Sequence, residues 1–169
     1  FFSQLLADTS LTDEQRRALA NERIRLLHDA EEEKQQADQP FPAGSHAQAF
    51  RDYLAGIDAF YRGNFSDAEA KFIALKQSSQ SWVAETAQYM LFRIALNQIV
   101  ADAVDDMGMF DSAKSDKAAA ALALQRGDEY LSSFPAGLYV QSVQGLYRRI
   151  NWYIGDYNAL AVAGEKSIA

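Results

Sequence analysis

One pattern of nine residues occurs twice in this chain and constrains its fold more than any other feature. It reads aromatic, Tyr, any residue, Gly, polar, aromatic, polar, polar, aliphatic. The copies are Phe60-Tyr61-Arg62-Gly63-Asn64-Phe65-Ser66-Asp67-Ala68 and Trp152-Tyr153-Ile154-Gly155-Asp156-Tyr157-Asn158-Ala159-Leu160. Glycine reaches the left-handed conformation that ends a helix at a tight turn, which side chains with a Cβ resist. Each copy therefore predicts a helix, a short turn and a second helix folded back against the first. The aromatic residue two places after each glycine, Phe65 or Tyr157, is expected to plug the gap between paired helices. Ala68 and Leu160 would let the second helix approach.

The rest of the chain reads as further helices. Thr12 with Gln15 forms a capping box, the reciprocal bonding of side chain and backbone that opens a helix. That helix is mostly polar, with Ala18, Ile24, Leu26 and Leu27 set among arginines and glutamates. Residues 1–38 are thus expected to form a polar helical arm, and Gln39-Pro40-Phe41-Pro42-Ala43-Gly44 a linker. A second box, Ser45 with Gln48, opens a helix whose apolar residues Ala49, Phe50, Tyr53, Leu54, Ile57 and Phe60 keep helical spacing. Ser66 with Glu69 is expected to cap the next helix, and Ser78-Ser79-Gln80-Ser81 to form a polar turn. An apolar-periodic segment without Pro or Gly then runs from Trp82 to Met107, with Gly108 as its cap. Further helices are expected over about Asp116 to Leu131, over Tyr139 to Tyr153, and from the Gly155 turn to about Ala163. No strand pattern survives. The 29 alanines suit close-packed helices.

Composition removes several classes of function. The chain has no cysteine, which excludes disulfides, thiolate nucleophiles and Cys-ligated zinc. Its net charge of −7 works against binding a phosphate backbone, so no nucleic-acid partner is expected. No apolar run is long enough to span a membrane. The two histidines, His28 and His46, stand at no metal-ligand spacing, and no hydrolase, zinc-protease, phosphate-loop or dinucleotide motif occurs. The aspartates at 102, 105, 106, 111 and 116 have the wrong order for a calcium loop and read as a solvated helix end. Glu31-Glu32-Glu33 reads as a solvated face. No catalytic residue, cofactor or metal is assigned. The chain opens Phe1-Phe2-Ser3, as a fragment or processed product would.

Gly56, Gly63-Asn64-Phe65, Ala68 and Phe72 stand at the spacings of the tetratricopeptide repeat, which this segment resembles. The departures are Asp52 where that family favours Trp, Ala59 at the tyrosine site, and Gln80 at the repeat-end proline. The second copy has Arg148 where Gly56 would fall. The turn glycines lie 92 residues apart (155 − 63), whereas repeats of roughly 34 residues would give about 68 or 102. A lengthened central helix pair would account for the difference. Tyr130-Leu131-Ser132-Ser133-Phe134-Pro135-Ala136-Gly137-Leu138-Tyr139 is similar to a junction in bacterial envelope repeat proteins such as outer-membrane assembly lipoproteins.

The resemblance implies an all-α solenoid of antiparallel helix pairs over residues 45–169, with the arm attached. It implies a non-catalytic scaffold or adaptor that binds a segment of another protein in a concave groove, with a periplasmic or envelope location favoured over the cytoplasm. The other reading is a helical accessory domain of a larger envelope enzyme, for example a muralytic one. Carried over position by position, the family's geometry puts Tyr53, Ile57, Phe60, Tyr89, Arg93, Asn97, Arg149 and Trp152 in the groove. Glu85, Tyr89, Arg93 and Asn97 recur every four residues and so share one face of their helix. Aromatic residues and arginines are the composition of interface hot spots.

Overall fold

The computed structural model describes residues 1–27, 40–105 and 107–158. These residues form an all-helical protein: α1 (Phe2–Ala7), α2 (Asp13–Leu27), α3 (His46–Tyr61), α4 (Phe65–Leu75), α5 (Ser81–Gln98), α6 (Lys117–Ser133) and α7 (Val140–Tyr153). A 3₁₀ turn covers Ser112–Lys114. Among the described residues there is no strand, only one isolated antiparallel bridge between Val104 and Phe110. The fold divides into two compact units, residues 1–87 and 88–169.

The first unit is built on α3 and α4. Ser45 caps α3 by accepting from the Gln48 N–H at 3.2 Å, but only this half of the expected box forms: the Gln48 amide donates to Asp52 and the Ser45 N–H to the Pro42 carbonyl. α3 ends at Gly63, whose φ is +74°. There the Asn64 N–H donates to the Ala59 carbonyl at 2.9 Å, and the Gly63 N–H to that of Phe60 at 3.1 Å. This is the paired bonding by which a left-handed glycine satisfies the last helical carbonyls. The chain re-enters a helix at once, so α4 starts at Phe65. Its cap residue is Asn64, with no side-chain bond, and not the expected Ser66 box. α4 runs back along α3: Phe65 meets Phe60 at one end (5.7 Å between ring centres) and Phe72 meets Tyr53 further along (6.3 Å). A Cβ on Gly56 would stand 2.9 Å from the Phe72 ring, so the close approach requires glycine. Ala68 and Phe72 are fully buried.

The N-terminal residues differ from the expectation of a separate arm. The Thr12–Gln15 box forms in both directions, at 2.9 and 3.2 Å. Yet Leu5, Leu11 and Leu19 are buried, and the Phe1 ring packs among Phe50, Tyr53 and Trp82. Arg16 donates to the Leu5 and Asp8 carbonyls at 3.3 and 2.7 Å, closing the end of α1. Arg51 of α3 pairs with Glu22 of α2 at 3.3 Å and lies 3.8 Å from the centre of the Phe41 ring. Few residues carry the contact, but Leu5, Leu11 and Leu19 are enclosed, and so a mostly polar helix belongs to the packed unit. His28, the Glu31 to Glu33 run and Gln39 lie outside the described residues.

The second unit holds the later part of α5 with α6 and α7. α5 stops at Gln98 and does not continue to Met107. Ile99 and Ala103 are buried and prolong the apolar periodicity beyond the helix. Their carbonyls accept instead from the Asp116 N–H (2.9 Å) and the Asp111 N–H (2.8 Å). Bonds from outside α5 thus replace the next helical turn. Gly108 (φ +77°) turns the excursion and caps no helix. The Asp116 carboxylate caps α6, accepting from the Ala118 and Ala119 N–H groups at 2.8 and 3.0 Å. α6 runs antiparallel to α5, because Arg126 reaches back to the Leu91 carbonyl at 3.0 Å. α7 returns along α6, and a Cβ on Gly127 would stand 2.5 Å from the Tyr147 hydroxyl.

The second copy of the nine-residue pattern repeats the first in its backbone. Gly155 has φ +70°. Asp156 N–H donates to Asn151 at 2.9 Å and Gly155 N–H to Trp152 at 3.2 Å. Tyr157, however, is 65% exposed and plugs no gap. The expected helix to Ala163 lies outside the described residues beyond Asn158.

Candidate functional site

Polar side chains on α5 and α7 meet in the second unit. Tyr89 stacks on Tyr139 with ring centres 4.2 Å apart and planes 5° from parallel. Tyr139 is held by its own N–H, which donates to the buried Tyr130 hydroxyl at 2.9 Å. That bond gives a physical role to the tyrosines flanking the Phe134-Pro135 break: α6 supplies the acceptor for the start of α7. The Tyr89 hydroxyl then reaches Ser142 Oγ at 2.8 Å. Phe92 lies 6.3 Å from Tyr147. The two pairs advance together along both helices, so α5 and α7 run side by side in one direction.

Arg93 stands one turn beyond Tyr89. Its Nη1 donates to the Tyr89 hydroxyl at 3.2 Å, and its guanidinium lies 5.8 Å from the centre of the same ring. Asn97, the next residue on this face, donates to the Arg93 carbonyl at 2.8 Å. The Arg93 Nε is buried and has no hydrogen-bond partner. Among the described residues no carboxylate pairs with this half-buried cation. A guanidinium is an obligatory donor, and leaving a buried charged donor unpaired costs about 1–3 kcal/mol or more. Ser142 and Arg149 are seven residues apart on α7 and share one face. Arg148 and Arg149 are exposed and make no ion pair among the described residues. Gly145, between Ser142 and Arg149, has nothing within 4 Å of where its Cβ would be. This stretch of α7 is therefore open.

The expected groove residues divide. Tyr89, Arg93, Asn97, Arg149 and Trp152 belong to the second unit, where the first three form one bonded stripe. Tyr53, Ile57 and Phe60 are buried in the core of the first unit. Their side chains fill the space between α3 and its neighbours, and Tyr89 is buried to the same degree in the second unit. Trp152 stacks on Phe110 at 4.8 Å. Ser142 and Tyr139 are not among the residues the sequence places in the groove. The register of α7 against α5, which no local pattern carries, is what brings them to Tyr89.

A second polar cluster binds the first unit together. Asp8 accepts from His46 Nδ1 at 2.7 Å and from the Ser10 hydroxyl at 2.6 Å, and Gln80 reaches it at 3.4 Å. Burial works to raise the Asp8 pKa, but the bonds from Ser10 and His46 outweigh it, and the carboxyl is held below its ordinary range. Ser10 Oγ also stands 3.0 Å from the same Nδ1. A nucleophile relay needs hydroxyl and carboxylate on opposite ring nitrogens. Here both meet one nitrogen, and the cluster is a latch. Gln80 is buried and its Oε1 caps α5 at the Val83 N–H (2.8 Å), so this residue is structural and not a solvated turn. Two open clefts of about 360 and 310 Å³ lie beside the latch and share Gly44, Ser45 and Ser79.

No protein-family model, curated protein or solved structure matches this chain. Among the described residues no helix is long and apolar enough to cross a membrane.

Proposed function

We propose that this protein is a non-catalytic interaction module of the tetratricopeptide-repeat type, in which α5 and α7 present a groove that holds a segment of another protein. The observation that carries this reading is Arg93. Its guanidinium is half-buried, its Nε is enclosed and unbonded, and its position is fixed by Tyr89. No carboxylate among the described residues neutralises it, and one from a partner segment would do so through the open part of the guanidinium. Arg149 and the open stretch at Gly145 extend the same strip along α7. Tyr89, Tyr139 and Ser142 give this strip a rigid aromatic wall with one hydroxyl pair. The repeated glycine turns and the Gly56–Phe72 and Gly127–Tyr147 approaches support the repeat-type packing. Helical repeats of this kind commonly bind through such a surface.

Affinity capture from a native lysate, followed by direct titration of the captured partner, tests the reading. Arg93→Ala combined with Arg149→Ala should weaken binding by about tenfold or more, as loss of a buried charge pair does, with circular dichroism unchanged. Intact binding by a folded double variant would remove the groove from the mechanism.

A further inference from the structure

We infer that Gly145 is a seat for an aromatic ring carried by the partner segment, next to the carboxylate that answers Arg93. This rests on the proposed groove and names what fills it. Among the described residues three glycines stand inside helices, and two of them have a visible reason. A Cβ on Gly56 would come to 2.9 Å from the Phe72 ring, and one on Gly127 to 2.5 Å from the Tyr147 hydroxyl. Gly145 has no such reason. It lies inside α7 (Val140–Tyr153), more than a turn from either end. Its φ is negative, unlike those of the turn glycines Gly63 and Gly155. It is exposed, and a Cβ there would meet nothing within 4 Å. Only proline forms helix less readily than glycine. The fold therefore gains nothing from glycine at this position and gives up helix stability for it. What glycine supplies is a notch of bare backbone between the side chains one turn to either side, Ser142 and Arg149.

The notch stands level with the unneutralised cation. α5 and α7 run in one direction, with Tyr89 held to Ser142 at 2.8 Å and Phe92 beside Tyr147. One turn past the Tyr89–Ser142 contact, the next positions on the two facing sides are Arg93 and Gly145. Arg93 Nη1 is engaged on Tyr89, and its Nε has no partner. The two features make separate demands on one segment. A carboxylate meets the guanidinium. A ring meets the notch, because ring against bare helix is the contact this molecule makes at both its other helical glycines. A flat side chain also buries more area against such backbone than a small or branched one. The exposed Arg149 guanidinium can reach over a ring seated there. The occupant is therefore a segment with an aromatic residue and an acidic residue as near neighbours.

The probe is a short capped peptide with phenylalanine between two glutamates, set among serines and alanines and titrated into the full chain. The Gly145 amide and the Arg93 Nε–H resonances report on the two demands separately. The expected result is a saturable shift of both. A twin peptide with alanine for phenylalanine should bind at least about tenfold more weakly. Gly145→Ala should raise the melting temperature by about 2–4 °C, since it changes helix propensity and nothing else. Gly145→Leu should stay folded and weaken the phenylalanine peptide about tenfold or more, because its side chain occupies the notch. Arg93→Ala tests the groove on its own. If it weakens the peptide while Gly145→Leu does not, the groove stands and the seat is overturned. If Gly145→Leu weakens it and Arg93→Ala does not, the seat stands and the carboxylate reading of Arg93 falls. Absence of any shift, equal binding of the alanine twin, or a lower melting temperature for Gly145→Ala would each overturn the inference. So would self-association that Gly145→Leu abolishes, which would make a second copy the occupant.

Discussion

The pair α3–α4 and the pair α6–α7 solve one packing problem with different chemistry. In each, a glycine on the first helix leaves room for a ring on the second: Gly56 for Phe72, and Gly127 for Tyr147. Phe72 is fully buried among carbon. Tyr147 is half-buried, and its hydroxyl bonds to the Asp128 carboxylate at 2.7 Å. The first ring has nowhere to move, whereas the second can swing toward water by giving up its hydroxyl's contacts with Asp128 and the Leu124 carbonyl. The same spacing of small and large residues therefore gives a rigid contact in one unit and a yielding one in the other.

Removing the rings tests this most severely. Phe72→Ala should destabilise by about 3–5 kcal/mol in denaturant titrations, the cost of an enclosed aromatic. Tyr147→Ala should cost roughly half as much, and similar losses would erase the distinction. The turn glycines come next, and here the two units should agree. Both have positive φ and the same pair of backbone bonds described above, so Gly63→Val and Gly155→Val should each cost about 1–3 kcal/mol. No side chain within 4 Å opposes a Cβ at Gly63, so its cost is conformational alone. Unequal effects on the melting temperature would show that one turn is held from outside.

Smaller and more informative are the helical glycines. Alanine gains about 1 kcal/mol of helix propensity over glycine, set against overpacking of about 1–3 kcal/mol. Gly56→Ala should be destabilising overall, because Phe72 cannot give way. Gly127→Ala should fall near zero, and Asp128→Asn should not change that sign.

The smallest effects separate the units by pH. The Asp8 carboxyl is held below its ordinary value, so its contribution is present above about pH 4 and lost as pH falls through the lowered value. Asp8→Asn should remove that acid-side loss from hydrogen exchange in the first unit. Burial and then the Asp128 carboxylate push the Tyr147 phenol well above its usual range. An unfolded tyrosine ionises first, so this contribution is full below about pH 10 and declines as pH rises beyond it. Tyr147→Phe should flatten the alkaline side alone.

Local chemistry was legible in the sequence and tertiary register was not. The box at Thr12, the serine cap at Ser45 and both left-handed glycines follow from residue types within a few positions of each other. α5 ends short of its apolar period because Ile99 and Ala103 continue that period while bonding backbone from elsewhere. The N-terminal segment was misjudged because a single enclosed leucine, Leu19, anchors a helix that is polar nearly everywhere else. At the candidate site the stripe of Tyr89, Arg93 and Asn97 showed in its four-residue spacing. Ser142 did not, since nothing near it in sequence refers to Tyr89.

The latch at Asp8 sets an order on synthesis. Its partners His46 and Gln80 lie 38 and 72 residues further along the chain. At roughly 5–20 residues per second, Asp8 waits on the order of 4–14 seconds before Gln80 has been made. Leu5 and the Phe1 ring wait with it, because Trp82 follows Gln80. During that interval a nascent chain carries α1 and α2 without the surface that covers them. In the second unit Tyr130 meets Tyr139 within nine residues, and the longer link from Tyr89 to Ser142 spans 53, so the wait there is shorter than in the first.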